Sequence, residues 1–452
     1  MNIPLSSIQK NYWFDRNIES SDTFYSIPCT IEIEGSLEIE IFKKSLQIIV
    51  ERQAMLRTIF LYQDGTVIQE IQENGTIELN LKDLEHLPNE ERKHTAYQLL
   101  KEEAQQPFKM LGEYLVRFSL YQLSTTSYIF MFNMHHIVCD GWSIKVFRQK
   151  LATIYNSLVE GDPNPLPPLP MQYADFVAEE QQWLRGDEAQ KAREYWRKQL
   201  ANLPVMNLPY DRPEGLTSTY GKAKAINLKI DSSSTQQLKH FCSTHRITLY
   251  MLFLAIWQLL LGYYGGQTDV VVGSLIAGRS RFETESIIGI FANSVLVRIQ
   301  YDLNSTFEEF LLQVRRNCLA NFTHQNIPVR EMAVELKTIE NTESNLCRVL
   351  FSMDQYFQTN NVEMIGLKTK KGEGIGNMLM RYALEINVKH PEKDILYLNL
   401  FYRSDLFDVS TITQIASKFG QLLDEVVNYP EETLDELLCA CDLEHPAFVA
   451  QD

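Results

Sequence analysis

The chain lacks any Cys-x-x-Cys pair. Its seven cysteines (Cys29, Cys139, Cys242, Cys318, Cys347, Cys439 and Cys441) are odd in number, which argues against a disulfide framework and a zinc site and fits a reducing, cytoplasmic setting. Positive charge is short as well. Against 58 Asp and Glu stand 42 Lys and Arg, a net charge of −16, which repels phosphate backbones and makes nucleic acid a poor partner. The opening MNIPLSSIQKNYW has no basic region followed by an apolar run, so no secretory leader is expected. A bilayer-crossing run is missing too. Residues 247–268 carry no charge, but only Leu249 to Leu261 are densely apolar. That stretch is shorter than the 18 or so residues of a span and includes Gln258, so it reads as a buried core helix, with no membrane as partner.

No internal repeat or low-complexity block stands out. At 45% hydrophobic and 22% charged residues the composition is that of a globular protein, and 452 residues allow two or three folding units of about 150 residues each. The proline cluster at 163–170 is the clearest punctuation and predicts a linker. Before it, β-rich runs at Cys29 to Ile33 and Tyr128 to Met134 alternate with helical stretches such as Ile39 to Gln53. After it come a charged helix at Glu188 to Leu200, strands at Ala225 to Ile230, Asp269 to Leu275 and Ile395 to Tyr402, and helices at Ser305 to Asn321 and Ser410 to Val427. The expectation is an α/β protein of two lobes, 1–175 and 176–452.

Chemistry gathers after residues 128–134. YIFMFNM is apolar on both alternating faces, as a central buried strand is. It runs into His135-His136-Ile137-Val138-Cys139-Asp140-Gly141-Trp142-Ser143, then a helix whose Ile144, Phe147, Leu151, Ile154 and Tyr155 fall at helical spacing, with Ser143 as the expected N-cap. A strand, a short polar loop and a helix N-terminus hold side chains rigidly and aim backbone N–H groups into one space. Adjacent histidines leaving a strand point different ways. One can serve as a neutral base near pH 7, with Asp140 fixing the loop through an internal salt bridge. Alone, the string equally fits a satisfied core pair or metal ligands. No further His or Cys cluster at ligand spacing completes a metal site.

HHIVCDGWS resembles the signature of the condensation domains of nonribosomal peptide synthetases, in the chloramphenicol-acetyltransferase-like superfamily. Other stretches resemble that family's motifs in order. They are LSSIQKNYWF near the N-terminus, ERQAMLRTIF at 51–60 beside RHExLRTxF, Tyr173-Ala174-Asp175-Phe176 beside YxDF, Ile288 to Ser294 beside IGxFVNT, and His324 to Pro328 beside HQDxP. The departures are Gln53 and Ala54 in place of His-Glu, Cys139 where Ser is common, and a degraded last motif at Glu343 to Phe351. Both histidines are kept, unlike in heterocyclising or recruitment-only relatives, and no DFGWG of the plant-type acyltransferases occurs.

The resemblance implies two acetyltransferase-like lobes in a V-shaped pseudo-dimer with a central tunnel. It implies amide formation between an acyl or aminoacyl thioester on the 4'-phosphopantetheine arm of a donor carrier protein and an aminoacyl group on an acceptor carrier. The chain itself would bind no cofactor. Adenylation domains would load the carriers, since neither an adenylation signature nor a carrier serine motif is visible here. By position, His136 is the implied catalytic residue, as base or as orienting group, and Gly141 is either an oxyanion donor through its N–H or a tight-turn glycine. His135 and Asp140 would be structural. Asp140 would pair with Arg57 first, Arg279 next; Arg57 and Arg52 could equally be solvated charges. Trp142, Ser143 and Asn293 are candidates for the substrate channel, with packing the plainer reading of Trp142 and loop capping that of Asn293. A free-standing acyltransferase using a soluble amine or alcohol, and a carrier-docking module without turnover, stay open as alternatives.

Overall fold

The computed structural model describes residues 3–15, 23–163, 166–213, 220–328, 331, 347–354, 363–376, 379–392 and 394–443. The chain forms two compact units. The first comprises Met1–Gly186, Ala277–Ala292 and Thr359–Asn377, and the second comprises Asp187–Ile276, Asn293–Gln358 and Met378–Asp452.

In the first unit the order is β1 (Ile3–Pro4), α1 (Ser7–Asp15), β2 (Ser26–Glu34), α2 (Ile39–Arg52), β3 (Thr58–Gln63), β4 (Thr66–Ile71), β5 (Leu79–Asp83), α3 (Asn89–Ala104), β6 (Val116–Ser124), β7 (Ser127–His135), α4 (Gly141–Val159) and α5 (Tyr173–Trp183). The second contributes α6 (Asp187–Gln199), β8 (Gly221–Ile230), α7 (Ser232–Thr244), α8 (Leu249–Gly265), β9 (Asp269–Ile276), β10 (Asn293–Gln300), α9 (Phe307–Thr323) and β11 (Val349–Asp354). β12 (Lys368–Lys371) returns to the first unit. β13 (Leu379–Met380), β14 (Leu384–Glu392), β15 (Ile395–Arg403), α10 (Val409–Asn428) and α11 (Leu434–Ala440) complete the second.

The first unit is built on a sheet of order β12-β2-β7-β6-β5, beside a small sheet β1-β4-β3. Its centre is β7, in antiparallel register with β2 (Phe132 opposite Cys29) and β6 (Phe132 opposite Phe118). As its doubly apolar sequence requires, both faces are covered. Phe130 and Phe132 pack with Phe42 of α2 and Phe147 of α4, and Ile129 and Met131 pack with Tyr97 and Leu100 of α3. The rings interlock, Phe42 edge-on to Phe130 at 4.9 Å and Phe147 at 4.6 Å from Phe132, which fixes α4 on the sheet.

The second unit is a sheet of order β10-β9-β11-β14-β15-β8-β13, in which β11 runs parallel to β9 and β14. α8 is its core helix, buried from Met251 to Gly262. Gln258, fully buried, donates to the Val297 carbonyl at 2.8 Å, a bond that satisfies its amide nitrogen inside the core. Among the described residues no single helix is long and apolar enough to cross a membrane.

Two sequence expectations about organisation differ from what is seen. A single cut at 175/176 does not separate the units, because residues 277–292 and 359–377 fold back onto the first. The proline cluster lies within that unit, which runs on to Gly186. The reason is polar: Tyr173 Oη donates to the Ile290 carbonyl at 2.7 Å and lies 2.9 Å from Ser6 Oγ, while the Gln172 amide bonds Ala54 N and the Arg52 carbonyl.

Candidate active site

β7 continues through His135, so the turn begins at His136. Backbone bonds fix its start: His135 N donates to the Leu115 carbonyl at 3.0 Å and His136 N to the Tyr25 carbonyl at 2.7 Å. His135 is buried, 3% exposed, and its Nδ1 accepts the Ile137 N–H at 3.1 Å. That bond makes His135 a brace of the turn. From the LSSIQ stretch, buried Gln9 donates to the Ile137 carbonyl at 3.2 Å and to Gln69 Oε1 at 2.8 Å, tying the first motif to the histidine loop.

The His136 ring lies against Tyr12, centroids 5.5 Å apart and planes at 16°. Its Nδ1 is buried with no hydrogen-bond partner among the described residues. Burial pushes the imidazole pKa below its ordinary value, while the Asp140 carboxylate and the Cys139 carbonyl pull the other way. The first effect dominates, so the ring is neutral at pH 7, the form that accepts a proton.

Asp140 is the N-cap of α4. Its Oδ1 accepts the Ser143 N–H at 2.7 Å and lies 2.7 Å from Ser143 Oγ. Its Oδ2 accepts the N–H groups of Phe291 at 3.0 Å and Ala292 at 3.2 Å. Arg279 Nη2 reaches both oxygens, at 3.1 and 3.3 Å, and donates to Ser143 Oγ at 3.0 Å. Its Nη1 donates to the Ile287 carbonyl at 2.8 Å. Both side chains of the pair are buried, 0% and 2% exposed. The Arg279 guanidinium stacks 4.1 Å from the Phe291 centroid, and burial lowers its pKa against the opposing Asp140 charge. This buried knot fastens the start of α4 to residues 277–292. Glycine is required there twice. Gly278 has φ +64° and would place a Cβ 1.9 Å from the Phe291 carbonyl oxygen, and a Cβ on Gly289 would meet the Tyr173 ring at 2.2 Å.

Three expectations need correction. The partner of Asp140 is Arg279; Arg57, the last residue of the turn before β3, donates instead to the carbonyl of Gln72, just past the end of β4. Arg52 is likewise occupied by the Pro167 carbonyl. Ser143 is not the N-cap but the third helical residue, and it lines no channel: it is fully buried, with Oγ bonded to Gly289 O at 2.7 Å and to Gly289 N at 3.1 Å. Asp140, one residue before the helix, presents Oδ1 to the Ser143 N–H and so takes the N-cap position.

Gly141 is the first residue of α4, in helical rather than left-handed conformation, so a strained turn is not what calls for glycine. Trp142 is half-buried, with Nε1 donating to the Glu285 carbonyl at 2.9 Å. Asn293 lies in the second unit, where it donates to the carbonyls of Gln325 at 2.9 Å and Ile327 at 3.5 Å, the bonds of a loop cap. The degraded last motif falls partly outside the described residues, at 343–346. Gln53 went unrecognised in the sequence. It is fully buried, donates to the Ser286 carbonyl at 3.0 Å and accepts the Ile288 N–H at 2.9 Å, a second tie on the same segment. Its signal was present as a departure from the family's His. Among the described residues no cluster of His, Cys, Asp and Glu is arranged to hold a metal ion.

The chain is similar to known proteins in sequence and in fold. A linear gramicidin synthase of Brevibacillus parabrevis is 36% identical over 438 residues, 96% of this chain and 6% of that protein. Gramicidin S synthase 2 of Aneurinibacillus migulanus is 29% identical over 437 residues, 96% of this chain and 9% of that protein. The chain thus spans less than a tenth of these relatives. In fold it is similar to the X-domain from teicoplanin biosynthesis (TM-score 0.84, 22% identity, 96% of both chains). It is also similar to the first condensation domain of the calcium-dependent antibiotic synthetase (TM-score 0.76, 18% identity, 96% of this chain and 98% of that one). The Condensation domain family model matches residues 1–447, and the chain belongs to that family.

Proposed function

We propose that the chain catalyses amide bond formation between two carrier-bound substrates. The amine of an aminoacyl group on the acceptor carrier attacks the thioester carbonyl on the donor's 4'-phosphopantetheine arm. The C–N bond forms, the C–S bond breaks, the donor arm leaves as a thiol, and the ammonium proton is lost. The observation that carries the reading is the state of His136, neutral at pH 7, partly exposed, with an unbonded Nδ1, on a loop held still by the Asp140–Arg279 knot. Such a ring orients the amine or takes its proton, worth on the order of 10²- to 10⁴-fold for a general base, the remainder coming from positioning two tethered reactants. The Gly141 N–H, first at the α4 N-terminus, is suited to the developing oxyanion. Loaded donor and acceptor carriers, with the adenylation domains that charge them, are the partners this chemistry needs. The relatives are synthases of which this chain matches a small part. Seven unpaired cysteines suit action in the cytoplasm.

The test is intact-mass detection of donor transfer between two purified, separately loaded carriers. The donor mass should move to the acceptor with the native protein and remain in place with His136→Ala. Acylation of a free amine or alcohol without carrier-to-carrier transfer, or binding of carriers without turnover, would replace this reading.

A further inference from the structure

Among the described residues, Arg148 is a cation without a counter-charge. Gly141, Ile144 and Arg148 fall on one face of α4, at i, i+3 and i+7. Seven residues put the Arg148 backbone about 10 Å from the helix's first residue, and helical side chains lean toward the N-terminus, so the guanidinium reaches back toward the site. Its Nε is buried without a hydrogen-bond partner, and no described carboxylate or carbonyl pairs with the group. Several other arginines of the described residues have clear partners. Arg279 has Asp140, Arg298 has Asp269 at 2.6 Å, Arg403 has Asp405 at 2.6 Å, and Arg117 donates to two carbonyls.

Apolar side chains and a second cation lie around the Cys29 thiol that Arg148 faces. Ile27 and Cys29 of β2 and Ile144 of α4 are half-buried at the rim of the core. Lys371, at the end of β12 opposite Ile31, joins Arg148 as the second cation acting on the Cys29 thiol. Burial also lowers the Arg148 pKa, with Cys29 rather than a carboxylate opposing it. In a chain of net charge −16, an arginine beside an apolar rim, with a second cation on the same sheet face and no carboxylate opposing it, makes a place complementary to an anion. A planar guanidinium freed of partners favours a two-pronged acceptor, of which a carboxylate is the smallest. A distance of about 10 Å along the helix suits a group a few bonds beyond the reacting carbonyl, on the donor's own side chain or acyl tail.

We propose that Arg148, with Lys371 beside it, forms a subsite that selects donors bearing a carboxylate on the side chain or acyl tail. This rests on the amide-forming reading above. The experiment compares transfer of glutamyl and glutaminyl thioesters from the donor carrier in single turnover, with native protein, Arg148→Leu and Arg148→Lys. The native protein should favour glutamyl by about tenfold or more, the factor of one 1.4 kcal/mol interaction. Leu should bring the ratio to near one, and Lys, which keeps the charge, should retain part of it. An unchanged ratio in Arg148→Leu overturns the subsite. Equal loss with both carrier-bound donors, absent with their N-acetylcysteamine thioesters, assigns Arg148 to the arm's phosphodiester and overturns it too. Calorimetry of the two N-acetylcysteamine thioesters on His136→Ala reads the subsite without turnover. A glutamyl preference there that Arg148→Leu removes upholds the subsite even if carrier-to-carrier transfer never occurs, in which case the amide-forming reading alone fails; no preference overturns the subsite.

Discussion

Asp140 and His136 stand four residues apart in one loop and are treated in opposite ways. Every acceptor direction of Asp140 is taken, by Ser143, Arg279, Phe291 and Ala292, whereas His136 keeps a buried nitrogen with no partner. A saturated carboxylate has no capacity left for a substrate, and the partly exposed imidazole, free of such ties, has. The conserving of geometry thus falls to the acid and the chemistry to the histidine, although both are charged or chargeable groups near the same helix start.

The comparison can be broken from the side of the acid. Asp140→Ala leaves Arg279 buried and uncompensated, so urea denaturation should show a loss of about 3–5 kcal/mol, and Arg279→Ala should fall in the same range. Gly289→Ala forces a methyl into the Tyr173 ring. It should cost about 1–3 kcal/mol as overpacking, read as a lowered denaturation midpoint with transfer reduced through displacement of residues 286–292. From the side of the histidine, the prediction concerns pH. With its folded pKa below the ordinary 6.5, His136 stays neutral as pH falls past 6.5, so the acid limb of single-turnover transfer should have its midpoint below that value. The same sign makes the folded state lose stability as pH drops from 6.5 through the lowered pKa, because the unfolded chain takes up the proton first. The smallest effect should come from Arg57→Ala. That residue pairs with the Gln72 carbonyl and not with Asp140, so about 1 kcal/mol of stability should change and the acid limb should not move.

Much of this was legible in sequence because local rules and burial agree. The two-sided apolar run of β7, the uncharged α8 and the amphipathic α10 needed only periodicity, and their ends came within a few residues of those seen. The histidine loop was legible through its neighbours, a strand before and a helix after. What local reading missed depends on distance along the chain. Arg279 is 139 residues from Asp140, and nothing in either neighbourhood shows that residues 277–292 return to the first unit, so a nearer arginine looked as suitable. Ser and Asp are nearly equal caps, so the sequence alone offers Ser143 as readily as Asp140. Only the helix's true first turn, with Ser143 N–H pointing back at Asp140, separates them. Gln53 looked like a lost histidine. Its amide, which both donates and accepts, is suited to clasp a carbonyl and an N–H two residues apart on the same strand of backbone.

The most direct test of the division of labour is to measure stability and single-turnover carrier-to-carrier transfer together on His136→Ala and Asp140→Ala. The account predicts that His136→Ala unfolds at or near the native urea midpoint while its transfer falls by about 10²-fold or more, and that Asp140→Ala loses stability first and transfer with it. A His136→Ala protein that keeps native transfer, or an Asp140→Ala protein of native stability that has lost it, would contradict the account.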